Sequence, residues 1–190
     1  MIYIIYDTAL NGPYTLMLLQ NAYPVNLSIF KGIKDEGLSD VAPYIFQVDD
    51  KLFKKINGPA VSLKAIVVLE SAEKINTLLA HFQQFIYEKI NGQENYFRFW
   101  DARVLARFLP AGNIEKLNVF FEGINCFYSI DPENTTAKNY FLKRGKLQTT
   151  DLALHKLFVL HDYEAQHSES NNLATVEGEQ QKKEKRKYFT

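Results

Sequence analysis

The sequence predicts an α/β (α+β) domain, a mixed β-sheet with helices packed on its faces, followed by a short C-terminal extension. Three observations predict it. The runs "IYIIY" (2–6) and "AIVVLE" (65–70) are continuous and rich in β-branched residues, as strands buried on both faces require. A segment of helical period follows each run, so strands alternate with helices through the first half. Beyond them, "FIYEKI" (85–90) and "YFRFW" (96–100) flank "NGQEN", the pattern of a hairpin whose turn opens at Asn91-Gly92.

The elements follow in order. After the first strand, Pro13 sits where a first helical turn tolerates it, and Leu16, Leu19 and Tyr23 recur at helical spacing until Pro24. "VNLSIF" (25–30) alternates as a strand, residues 31–42 read as a loop with a helical turn near 38–42, and "PYIFQV" (43–48) is a strand opened by Pro43. "KLFKKI" (51–56) suits one or two helical turns, with "NGP" as punctuation after it. Ser71 is the expected N-cap of a helix over 72–85, in which Ile75, Leu78, Leu79, Phe82 and Ile86 keep a 3.6-residue period. Within "YFRFW", strand alternation would put Phe97 and Phe99 on one face, and Arg98 between Tyr96 and Trp100 on the other.

Asp101 then caps a helix with Val104, Leu105, Phe108 and Leu109 as its apolar stripe, ended by Pro110. Asn113 caps the next, with Ile114, Leu117 and Phe121 on one face and Gly123 as its stop. "CFYSI" (126–130) is a strand, and "NYFLKRGKLQTTDL" (139–152) a last hairpin turning near Gly145. From residue 164 large apolar residues become scarce, and a solvated, flexible tail is expected.

Charge and composition exclude several function classes. Twenty-two basic residues balance twenty-two acidic ones, so no global field draws the protein to nucleic acid or an anionic membrane. The "KKEKRK" run (182–187) is short and adjoins "EGEQQ", which reads as a solvated tail. A single cysteine excludes an intramolecular disulfide framework and suits a reducing compartment. The opening residues lack the basic leader and cleavage site of a signal peptide, and no apolar run is long enough to span a membrane. A cytoplasmic protein is expected.

The chain offers few groups arranged for chemistry. Asp7 ends the first strand, where open α/β sheets place ligands, and a phosphoryl-transfer nucleophile would sit there. Thr8 and Ala9 supply no further carboxylate for magnesium, and a strand-end aspartate accepting loop amides is the simpler reading. His155, His161 and His167 are six apart and His81 lies alone on a helix, so no metal site is expected. Cys126 lies among apolar neighbours, which raises a thiol's pKa and makes it inert. Phosphate-binding loops, dinucleotide fingerprints, nucleophile elbows and zinc-protease motifs are all missing, and no cofactor is expected. Arg103 and Arg107 lie four apart on the helix after Asp101, away from its apolar stripe. The junction at 96–110 reads first as a capped, ion-paired strand-to-helix turn, with recognition and catalysis as the other uses of its charges.

"FRFWDARVL" (97–105) resembles the phenylalanine-arginine-aromatic-aromatic-aspartate-x-arginine-valine-leucine signature of the domain of unknown function 4123 family. The family often has proline after the aspartate, where this chain has Ala102. Asp7 closing the first strand, "PYIFQV", and "LLAHFQQF" leading into the signature agree in order. The resemblance spans residues 1–122 and implies an adaptor lobe there, with 123–163 as a small C-terminal lobe or extension and 164–190 as a polar tail. Members look like adaptor chaperones of bacterial type VI secretion, which hold a toxic effector and load it onto the valine-glycine-repeat spike protein. The resemblance therefore implies a non-catalytic protein with an effector and a spike as partners, and no nucleic acid, membrane or small-molecule substrate. Arg98, Trp100, Asp101 and Arg103 match the signature one by one, as lobe-shaping or partner-binding residues. The alternative is a small α/β enzyme of phosphoryl-transfer or hydrolase type acting through Asp7 and Asp101.

Overall fold

A computed structural model describes residues 1–130 and 136–160; the tail expected from residue 164, with "KKEKRK", His161 and His167, lies outside the described residues. Strand β1 (Ile2–Asp7) occupies the middle of a seven-stranded sheet, with β3 (Pro43–Val48) on one side and β4 (Val67–Ser71) on the other. Beyond β3 lies the short edge strand β2 (Asn26–Ser28). Beyond β4 come β7 (Ile124–Ile130), β8 (Thr136–Lys143) and β9 (Lys146–Ala153). Every pairing among them is antiparallel. Residues after 123 thus extend the same sheet that the first half builds. A separate hairpin, β5 (Tyr87–Ile90) and β6 (Gln93–Tyr96), turns at Asn91-Gly92 with φ of 52° and 78°. Both angles lie in the left-handed region that a type I′ turn needs, and the β8–β9 turn at Arg144-Gly145 has the same form.

Burial on both faces explains the unbroken apolar runs. In β1, Tyr3 and Ile5 enter one core while Ile4 and Tyr6 enter the other. The first core packs under α4 (Ile75–Gln83), α5 (Ala102–Ala111) and α6 (Ile114–Phe120) through Leu78, Phe82, Leu105, Leu109, Leu117 and Phe120. The second packs under α2 (Pro13–Ala22) and α3 (Leu52–Lys55) through Leu16, Leu19 and Leu52. A helix of one turn, α1 (Thr8–Asn11), precedes α2 and is not legible in the apolar pattern.

Several boundaries differ from expectation for one recurring reason. The strand expected over 25–30 stops at Ser28, because Ile29 and Phe30 both bury into the first core. Successive strand residues cannot do that, since they point to opposite faces. "YFRFW" fails as a strand beyond Tyr96 in the same way: Phe99 and Trp100 enter one core together. The chain turns there instead, with the Phe99 amide donating to the Phe97 carbonyl and the Asp101 amide to that of Arg98. The strand alternation therefore ends at Tyr96, although Tyr96, Arg98 and Trp100 still line one common cavity while Phe97 and Phe99 pack together in the core. "AIVVLE" pairs only from Val67, because Ala65 has φ of 50° and its carbonyl accepts the Ala102 amide instead.

Ser71 does not cap a helix. It ends β4, accepts from the Glu73 amide and donates to the Gly123 carbonyl, and α4 starts later, after Lys74. Pro110 lies inside α5 rather than beyond it. So close to the end, its missing N–H removes only one bond, and Gly112 closes the helix onto Phe108. Around α6, Leu117 and Phe121 are buried as expected, but Ile114 is exposed and Phe120 is buried as well.

Candidate functional site

The signature residues gather at the end of the sheet where β1 finishes. Ala102 is anchored there because its amide reaches Ala65, two residues before β4 starts, and Val67 pairs with Ile5. The Ser129 hydroxyl, from β7, donates to the Ala102 carbonyl at 3.4 Å. This anchoring brings α5's N-terminus beside Asp7, although 94 positions separate Asp7 from Asp101 in the chain.

Both aspartates are helix caps. Asp7 precedes α1 and accepts from the Leu10 amide at 3.3 Å through Oδ1. Its Oδ2 accepts from Arg98 Nη2 at 2.5 Å. Asp101 precedes α5, and its Oδ1 accepts from both the amide and Nε of Arg103 at 2.9 Å. Its Oδ2 accepts from Arg103 Nη2 at 2.7 Å, which completes a two-pronged guanidinium–carboxylate pair. The carboxylates are buried, at 2% and 6% side-chain exposure, while Arg98 and Arg103 reach solvent at 46% and 63%. Each pair therefore has one end in low dielectric and one in water.

The pairs also feel one another. Burial opposes ionisation of Asp101, but the Arg103 side-chain and amide hydrogen bonds outweigh it, helped by the charges of Arg103 and Arg98. The carboxyl is held below its ordinary range. The Asp101 hydrogen bond and charge raise the Arg103 guanidinium, with a further contribution from Asp7. A carboxyl depressed on folding stabilises the native state above the unfolded aspartate's pKa of about 3.9, and that contribution is lost as pH falls through the native value. The melting temperature is expected to fall steeply below about pH 4, and Asp101→Asn to flatten the fall. Parallel profiles for the two proteins in an acid titration would contradict this.

Two cavities adjoin the junction. One, of about 190 Å³, is lined by Asp7, Arg98 and Ala9 together with Phe30, Leu38, Val41, Tyr96 and Trp100. The other, of about 390 Å³, lies between the hairpin and α6 and is lined mainly by Phe85, Phe97, Phe108 and Val119. Neither was visible in the sequence. The available signal was two apolar residues, Leu38 and Val41, set among the polar and charged residues of 34–41.

The other candidates are placed as follows. Trp100 is buried, edge-on to Phe30 and Phe99. Arg107 is exposed on α5. Cys126 is buried, and burial pushes its thiol pKa up. His81 Nε2 donates to the Phe120 carbonyl at 3.0 Å. Among the described residues no cluster of histidine, cysteine and carboxylate side chains is placed to hold a metal, and no helix is long and apolar enough to cross a membrane.

Asp7 and Asp101 are thus brought to one end of the sheet, but Asp101 does not line the cavity that Asp7 lines. Because the sheet is antiparallel throughout, the rule that ligands gather at strand C-termini does not single out this end. The family model described as "Domain of unknown function (DUF4123)" matches residues 2–118. No curated protein and no solved structure matches the chain.

Proposed function

The chain belongs to the DUF4123 family, and from that premise we propose that it is a cytoplasmic adaptor chaperone of type VI secretion. In this reading it holds a secreted effector and helps load it onto the valine-glycine-repeat spike protein, without catalysing a reaction. The observation that carries the reading is the surface beside the signature. Apolar and aromatic side chains, several of them exposed, line two cavities there together with a few polar and charged groups, as protein-binding patches do. The charged signature residues support it from below. An enzyme working through Asp7 and Asp101 needs a carboxylate oxygen open to substrate, and all four already accept protein hydrogen bonds.

The test is capture from the native host. Tagged protein is expected to retain an effector or a spike protein, and deletion of its gene to stop export of that effector while other effectors still leave the cell. Export that continues unchanged in the deletion strain, with neither partner captured, would sink the reading.

A further inference from the structure

We propose that the cavity beside Arg98 receives one large apolar side chain from an uncharged segment of the protein partner, with Arg98 donating to a main-chain carbonyl beside it. The proposal rests on the adaptor reading and names the chemistry of what is bound.

Size comes first. An apolar cavity of about 150 Å³ holds a benzene molecule, so the 190 Å³ here accepts one aromatic or branched aliphatic side chain. The rim is already apolar: Leu38, Val41 and Tyr96 are each about half exposed, at 47%, 48% and 48%. Covering them removes that surface from water and is favourable without any rearrangement.

The walls are held before a partner arrives. Asp35, on the loop that carries Leu38 and Val41, accepts from the hydroxyls of Tyr87 and Tyr96 at 2.5 and 2.6 Å. Lys34 on the same loop pairs with Glu94 and lies 4.1 Å from the Tyr87 ring centroid. Loop and hairpin are therefore tied together across the cavity, and less entropy is lost when a ligand enters. Trp, Tyr and Arg around one pocket is also the composition at which binding energy concentrates.

Electrostatics decides the occupant's charge. Among the described residues only Nη2 of Arg98 has an acceptor, so Nε and Nη1 keep donors for a ligand. Asp7 cancels the Arg98 charge at 2.5 Å. A ligand carboxylate would gain little net attraction and would meet Asp7 at short range, whereas a neutral carbonyl takes the spare donors at no such cost. An uncharged segment fits best.

Trp100 is the sole tryptophan in the chain and lines this cavity, so its emission reports on a ligand that enters there. The probe is a blocked heptapeptide with a central phenylalanine in glycine-serine flanks. It is expected to shift Trp100 emission saturably and with little dependence on salt. The alanine-centred peptide is expected to bind at least about tenfold more weakly, and aspartate flanks to weaken binding as well. Val41→Asp, at an exposed position, is expected to keep the melting temperature and lose the response.

A phenylalanine peptide without a saturable shift, equal binding of the alanine peptide, or an unchanged response in Val41→Asp would overturn the proposal. So would an emission shift on dilution without peptide, which would put a second copy in the cavity. A shift caused by Phe189→Ser alone would put the chain's own terminus there, with the same consequence. Effector capture separates the two readings. Capture that survives Val41→Asp overturns this pocket and leaves the adaptor standing; a peptide response without capture does the reverse.

Discussion

Phe120→Ala is expected to remove most of the protein's stability. Phe120 is fully buried, and seven other rings lie within 6.4 Å of it, centroid to centroid. Phe127 stacks on it at 5.1 Å, while Phe85 and Phe108 meet it edge-on at 5.1 and 5.3 Å. Those rings come from α4 and the turn after it, α5, β7, the junction segment and the end of α6 itself, so the cavity left by truncation would lie where separate elements meet. Such elements are held by their own backbone bonds and cannot collapse inward freely. The cost belongs at the upper end of the usual Phe→Ala range, about 4–5 kcal/mol, against a total of about 5–15 kcal/mol for a typical domain. Urea unfolding measures it directly, with Phe120→Leu as a control that retains much of the volume and is expected to lose far less. An alanine variant within about 1 kcal/mol of the parent would mean that the ring cluster does not hold these elements together.

Arg98→Ala is expected to cost about 2–3 kcal/mol. Removing one partner of a buried pair typically costs about 3–5 kcal/mol, because a charge is stranded in low dielectric. Asp7 would be stranded in that way, with the 3.3 Å Leu10 amide bond as its remaining contact in this network. Arg98 itself is nearly half exposed, so water already screens the pair and the full figure is discounted. Asp7→Asn is expected to cost less, because it returns Arg98 to solvent and buries no charge. The double variant Asp7→Asn/Arg98→Ala is therefore expected to be more stable than Arg98→Ala alone, and a thermodynamic cycle gives the coupling. Additive costs would show that the pair is not coupled. Arg98→Ala with its melting midpoint intact and effector capture abolished would show a recognition residue rather than a structural one.

The junction at 96–110 shows how far local reading reaches. Asp101 as an N-cap, Asn113 as another, and turns at Asn91-Gly92 and Gly145 were all legible. Each depends on groups within about four residues of one another. The apolar periods of α4 and α5 were legible for the same reason. The Phe120 hub was not: the spacing of Ile114, Leu117 and Phe121 picked out two residues that are buried, but packing against α5 and β7 buries Phe120 as well and leaves Ile114 exposed. Nothing within "NIEKLNVFFEG" distinguishes Phe120 from Phe121, since both are buried and only the partners differ.

The sequence by itself determined the family, the α+β class, the central two-sided strands and the chemistry of the caps. These rest on residue type, local spacing and the run of residues 97–105. Only the tertiary structure decided that Asp7 pairs with Arg98, 91 positions away, and that Leu38, Val41 and Tyr96 wall a cavity over them. Pairing between distant residues follows from sheet order and from where α5 is anchored, and these are set by the burial of the whole chain at once. No local window contains that information, because any carboxylate at a strand end can meet any arginine that the fold brings to it.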